Sequence, residues 1–240
     1  MSKIGTRSES SLHRQLKLAY AGSGERTEVG HGRFVADGVS PGGARIEVQI
    51  GSFERLRKKA GAFAALPGGL KVVHPIAVAK YLEAFGEDGA MLYRRKSNRP
   101  GKVWDVFYKL VYAPELPRIP GLEIELALAD VAEERVLDGK GSRRRKGASI
   151  RDRRLLAMRG TVSLSRPCDY LCFVPFARGE SFTSADLARA AGIRSGLARK
   201  ALYVLWQLGI VEKDGRRGNA IVYRLIAGPR MKKWRKPPKD

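Results

Sequence analysis

The stretch Ser40-Pro41-Gly42-Gly43 constrains this chain more than any other. Proline fixes its own φ and the two glycines admit conformations closed to other residues, so the backbone turns here. A strict alternation follows over residues 44–50. Ile46, Val48 and Ile50 share one face and Arg45, Glu47 and Gln49 the other, the signature of a half-buried strand. Residues 32–39, with Phe34, Val35 and Ala36 ahead of Asp37, form the partner strand. If 41–43 is a three-residue hairpin loop, Ser40 pairs with Ala44 and Asp37 lies opposite Glu47. Directly opposed residues have Cβ atoms roughly 4.5–5.5 Å apart. Two carboxylates that close repel unless a cation neutralises them, and a divalent ion with oxygen ligands would do so. Gln49, two residues on, leaves the same face as Glu47.

The flanks read as alternating helix and strand. Residues 8–20 repeat Leu12, Leu16, Ala19 and Tyr20 at helical spacing, and Gly22-Ser23-Gly24 stops them. Residues 25–29 form a first strand. Ser52 can cap a second helix whose inner stripe is Phe53, Leu56, Ala60 and Phe63. Pro67-Gly68-Gly69 ends it, and 70–76 is a buried strand containing His74. Bland roles stay open for each polar residue. Glu9 can complete a capping box with Thr6. Asp37 can be a turn residue ahead of Gly38, and Glu47 a solvent-facing strand residue. His13 and His31 lack partners at metal-ligand spacing and read as structural; His74 reads as a satisfied core residue.

The order helix, three strands, helix, strand, with Asp37 before the hairpin and Glu47-Val48-Gln49 after it, resembles the PD-(D/E)XK nuclease superfamily. The resemblance implies an α/β, restriction-endonuclease-like αβββαβ core. It implies Mg2+ or Mn2+ held by Glu9, Asp37 and Glu47, with Gln49 orienting the attacking water, and hence a hydrolase that cleaves nucleic-acid phosphodiesters. Gln49 stands where that family carries Lys, and a neutral amide supplies no cation. The alternative, a non-catalytic DNA-binding or regulatory protein on a degenerate nuclease fold, rests on that residue. More closely, the chain resembles a group of uncharacterised bacterial proteins. They combine the Glu9-Ser10-Ser11-Leu12-His13 helix, the Ile46-Glu47-Val48-Gln49 strand, the His74-Pro75-Ile76 strand and Arg94-Arg95-Lys96-Ser97 with a basic middle segment and a C-terminal winged helix.

Charge points to a polyanionic partner. Lys and Arg number 46 against 24 Asp and Glu, a net +22, while the 43% of hydrophobic residues is ordinary for a globular chain. The bases cluster at 94–102, at 140–159 and at 230–239. Residues 103–112 read as an amphipathic helix and 122–131 as a strand. The 140–159 run, including Arg143, Arg144 and Arg145, reads as a flexible phosphate-gripping arm. Cys168 and Cys172 form no zinc pattern and read as core filling.

Thr183 as N-cap with Asp186 three residues on starts a helix that breaks at Gly192. Ser195 opens a second helix, and strands 210–213 and 220–225 flank a basic loop. This order resembles a winged helix-turn-helix. The resemblance places Arg194, Ser195, Arg199 and Lys200 on a recognition helix and Arg216, Arg217 and Asn219 on the wing. The chain is accordingly divided into a nuclease-like domain (1–135), a basic arm and connector (136–177), a winged helix (178–228) and a basic tail (229–240). The expected partner is DNA, with RNA the other polyanion the charge admits. The absence of an apolar stretch of membrane-spanning length leads to the expectation of a cytoplasmic protein that engages no membrane. A homodimer is left open.

Overall fold

The computed structural model describes residues 9–22 and 26–226. Thr6, the 229–240 tail and part of the Gly22-Ser23-Gly24 stop lie outside the described residues. The chain is mixed α/β and divides into two compact units, each assembled from separate stretches: Met1–Ile50, Lys71–Val103 and Glu125–Val162 in one, Gly51–Leu70, Trp104–Ile124 and Ser163–Asp240 in the other. A segment-by-segment reading does not anticipate that interleaving.

In the first unit, helix α1 (Ser11–Ala21) is capped by Ser10, whose hydroxyl accepts from the His13 N–H. Leu12 and Leu16 are buried as expected, but Ala21 and the stem of Lys17 complete the inner stripe while Ala19 is exposed. Strands β1 (Thr27–His31), β2 (Phe34–Val39) and β3 (Arg45–Val48) follow, then β4 (Leu70–Phe85), β5 (Met91–Lys96), β6 (Leu122–Val136) and β7 (Ser149–Leu164). One seven-stranded sheet runs β1-β2-β3-β4-β6-β7, with β5 also paired to β4. The hairpin between β2 and β3 has the anticipated register: Gly38 pairs with Ile46 and Val39 with Arg45. Ser40 N–H donates to Ala44 O at 2.8 Å, and Gly43 turns the chain with φ +86°. Ile46 and Val48 pack with Leu12, Leu16, Val73, Ala127, Ala129 and Val131. Each such fully buried Leu or Ile contributes roughly 1.5–3 kcal/mol over an exposed one.

Gly38 sets how α1 lies on β2. A Cβ there would meet Ala21 Cβ at 2.8 Å and Arg26 O at 3.1 Å. Only glycine lets the helix end approach this closely, which brings the residues of α1 over Asp37.

The strands β4 and β6 run well beyond the lengths the apolar pattern predicts, and β5 was not anticipated. The 140–159 run is not an arm throughout. Arg143–Arg145 form a single 3-10 turn, with Lys146 left-handed at φ 52°, and from Ser149 onward the chain is strand β7. The reason is charge burial. Glu83, Asp130 and Glu133 are 4%, 6% and 3% exposed, and a buried carboxylate must be paired. Arg154 meets Glu83 and Glu134, Arg153 and Arg135 meet Glu133, and Arg159 meets Asp130. These guanidiniums are counter-charges of the sheet.

In the second unit, Ser52 caps a 3-10 turn (Phe53–Leu56) that runs into α2 (Arg57–Ala64), and Phe53, Leu56, Ala60 and Phe63 are fully buried as the stripe predicts. Residues 103–112 hold only a 3-10 turn and the short helix α3 (Phe107–Leu110). Trp104, Phe107, Tyr170 and Phe173 form an aromatic cluster with centroids 4.9–6.2 Å apart. Strand β8 (Ser181–Thr183) leads into α4 (Ser184–Ala190), then α5 (Ser195–Gln207), β9 (Val211–Arg217) and β10 (Ala220–Leu225). The capping box of Thr183 and Asp186 is present in both directions. The small sheet runs β8-β10-β9. Cys172 is exposed on the 3-10 turn Pro167–Phe173, so it does not fill a core. No helix among the described residues is long and apolar enough to cross a membrane.

Candidate functional site

Two groups of residues carry chemistry. The first is at the α1–β2 junction. Asp37 lies one residue beyond the Gly38–Ile46 pair, the position that the hairpin count sets opposite Glu47. Glu47 is 2% exposed, which excludes the solvent-facing role. Glu9 also reaches this junction, but His13 lies between the two acids. Its Nδ1 meets Glu9 Oε1, and its Nε2 is 3.3 Å from Asp37 Oδ2. The same Asp37 oxygen accepts from Val48 N–H at 2.8 Å. Lys17, one turn further along α1, is 3.4 Å from Glu9. Burial pulls the His13 pKa down, but the Asp37 carboxylate, and then Glu9, raise it more, to about 8. The imidazolium is therefore the favoured form at neutral pH. With both ring nitrogens engaged, His13 has none left to take a proton from a substrate.

This arrangement does not fit the metal that the nuclease resemblance implies. Among the described residues no three His, Cys, Asp or Glu side chains are grouped to hold a metal ion. The neutralising cation between Glu9 and Asp37 is an imidazolium of the chain itself. Gln49 lies just past β3, where its N–H donates to Val73 O at 2.8 Å and its carbonyl accepts from His74 Nδ1 at 2.6 Å. His74 is thus a satisfied, buried residue, as read from the sequence. Sequence reasoning set His13 aside. The signal that could have found it is the Glu9–His13–Lys17 series at i, i+4, i+8, which aligns one acid and two bases on a single helix face.

The second group lies on α5 and the β9–β10 hairpin. Helix α5 buries Leu197, Ala198, Ala201, Leu202, Val204 and Leu205, which leaves Ser195, Gly196, Arg199 and Tyr203 outward. Arg194 is the N-cap residue and is exposed. The unsatisfied N–H groups of this first turn make it electropositive before any side chain is counted. Lys200, expected to be exposed, is half-buried with its ammonium 5.7 Å over the Tyr112 ring. The β9–β10 hairpin differs from the expected basic loop. Strand β9 continues to Arg217, so Arg216 and Arg217 are strand residues and the tip is only Gly218-Asn219, with Gly218 at φ 58°. Arg217 is 3.9 Å from Asp186, whereas Arg194, Arg199 and Arg216 pair with no carboxylate among the described residues. Arg143 and Arg144 of the first unit, exposed on their 3-10 turn, are likewise unpaired among the described residues. Tyr203, 40% exposed on the α5 stripe, and Lys213, stacked 4.1 Å over Trp206, were not singled out by sequence reasoning.

Comparison with known proteins gives a family and a relative. A family described as "Domain of unknown function (DUF8091)" matches residues 10–165, which reach from the cap of α1 to the end of β7. A protein of Treponema pallidum (strain Nichols), described as an uncharacterized protein, is 30% identical over 229 residues, covering 92% of this chain and 87% of its own. A bacterial relative of that description is what the closer sequence resemblance anticipates. No solved structure matches. The chain belongs to the DUF8091 family.

Proposed function

We propose that the protein binds nucleic acid, duplex DNA foremost, through the exposed start of α5 and the β9–β10 hairpin used as a winged helix-turn-helix. One contrast carries the reading. The arginines of β7 are spent on Glu83, Asp130, Glu133 and Glu134, while Arg194, Arg199 and Arg216 are exposed and have no carboxylate among the described residues. Free guanidiniums beside a helix N-terminus are the groups that gain most from a phosphate backbone. Arg143 and Arg144 offer a second contact of the same kind. Tyr203 adds an aromatic edge to the helix face.

The test is fluorescence anisotropy with labelled duplex DNA, single-stranded DNA and duplex RNA. The expected result is duplex DNA binding that falls at least about tenfold in the Arg194→Glu/Arg199→Glu/Arg216→Glu variant. All three positions are exposed, so folding is retained. Unchanged affinity in that variant overturns the proposal.

A second reading, metal-dependent phosphodiester cleavage, draws on the Asp37–Glu47 register. The His13 bridge counts against it, and the binding reading expects no cleavage of these substrates with Mg2+ or Mn2+. Cleavage that is lost in Asp37→Ala would establish the second reading instead.

A further inference from the structure

A cavity of about 250 Å³ opens in the second unit. Its wall is apolar: Leu171 from the 3-10 turn Pro167–Phe173, Gly209 and Ile210 just past α5, and Leu225 and Ile226 at the end of β10, with the Cys168 thiol beside them. Two amides of this wall are already satisfied. Ile210 N–H donates to Leu205 O at 3.0 Å, and Ile226 N–H donates to Ile210 O at 2.9 Å. Among the described residues one charged side chain lines the cavity, that of Arg178, which is exposed and pairs with no carboxylate among them.

We propose that this cavity is a binding site for a small monocarboxylate with a compact apolar body, a single ring or a short branched chain. Size supports this. A dry apolar cavity of about 150 Å³ takes benzene, so the volume here admits one ring and a carboxylate. The apolar wall disfavours a sugar or a polar amino acid, whose hydroxyl or amine groups would be stripped of water without replacement. One guanidinium suits a monoanion and forms a planar, two-point contact with a carboxylate. A phosphate would call for more donors than the described residues of this wall supply.

The probe is benzoate, titrated against the full-length protein by ligand-observed NMR, with benzyl alcohol as the uncharged ring and acetate as the ringless anion. Saturable benzoate binding is expected below about 10 mM, with benzyl alcohol and acetate each weaker. Arg178→Gln is expected to weaken benzoate about threefold, as for a solvent-accessible ion pair. Leu171→Trp, which fills the cavity from an exposed position, is expected to abolish binding. The absence of saturable benzoate binding, or unchanged benzoate affinity in either variant, overturns the proposal.

Discussion

Replacing His13 with Gln removes a cationic group that touches both Glu9 and Asp37, and the structure sets the size of the effect. The His13 pKa rises from an ordinary 6.5 to about 8 against the opposing pull of burial. That rise corresponds to about 2 kcal/mol of folding free energy carried by the protonated form. The side chain is 22% exposed, so little of this is lost to solvent screening. The sign follows from proton uptake. Between pH 6.5 and 8 the folded chain holds a proton that the unfolded chain has released, about 0.7 of a proton near pH 7.2. The contribution is fully present below pH 6.5 and is lost as pH rises through 8. Urea denaturation of the wild type and His13→Gln at pH 5.5 should differ by about 2 kcal/mol. The gap should close towards pH 9. The chain has three histidines, so the His13 resonance is identified by its disappearance in the variant and should titrate near 8. A His13 titration at or below 6.5, with a stability difference that stays flat from pH 5.5 to 9, would refute the imidazolium bridge.

Two further predictions concern the scaffold. Glu133 sits among Arg135, Arg153 and Lys80, which together outweigh the effect of burial and hold its carboxyl below the usual range; Glu133→Gln should cost roughly 3 kcal/mol by chemical denaturation, a loss the wild type approaches only as pH falls through the depressed value. Thr183→Ala removes the capping box of α4 and should cost about 1 kcal/mol in the same assay.

The hairpin was legible because Pro41-Gly42-Gly43 admits few loops and the alternation after it admits one register. The start of α4 was legible because Thr183 and Asp186 satisfy each other's backbone groups locally. The stripe Phe53–Phe63 was legible for the same reason: each depends on neighbours in sequence. What escaped depends on distant partners. The 140–159 run looks like a solvated arm until the acids of β4 and β6 are set beside it, and those acids are 17 to 71 residues away in sequence. His13 looks structural until Gly38 lets Ala21 press on β2 and carries α1 across Asp37. The helix and hairpin that carry Glu9 and Asp37 were therefore legible locally, while the His13 that joins these two acids was not.

The central proposal, that the exposed guanidiniums of Arg194, Arg199 and Arg216 grip a phosphate backbone, is tested most directly by the salt dependence of duplex DNA binding. Each phosphate neutralised contributes about 0.9 to the slope of log K against log salt. The slope should be steep in the wild type and fall by roughly 3 in the Arg194→Glu/Arg199→Glu/Arg216→Glu variant. Identical slopes for the two proteins would contradict the account.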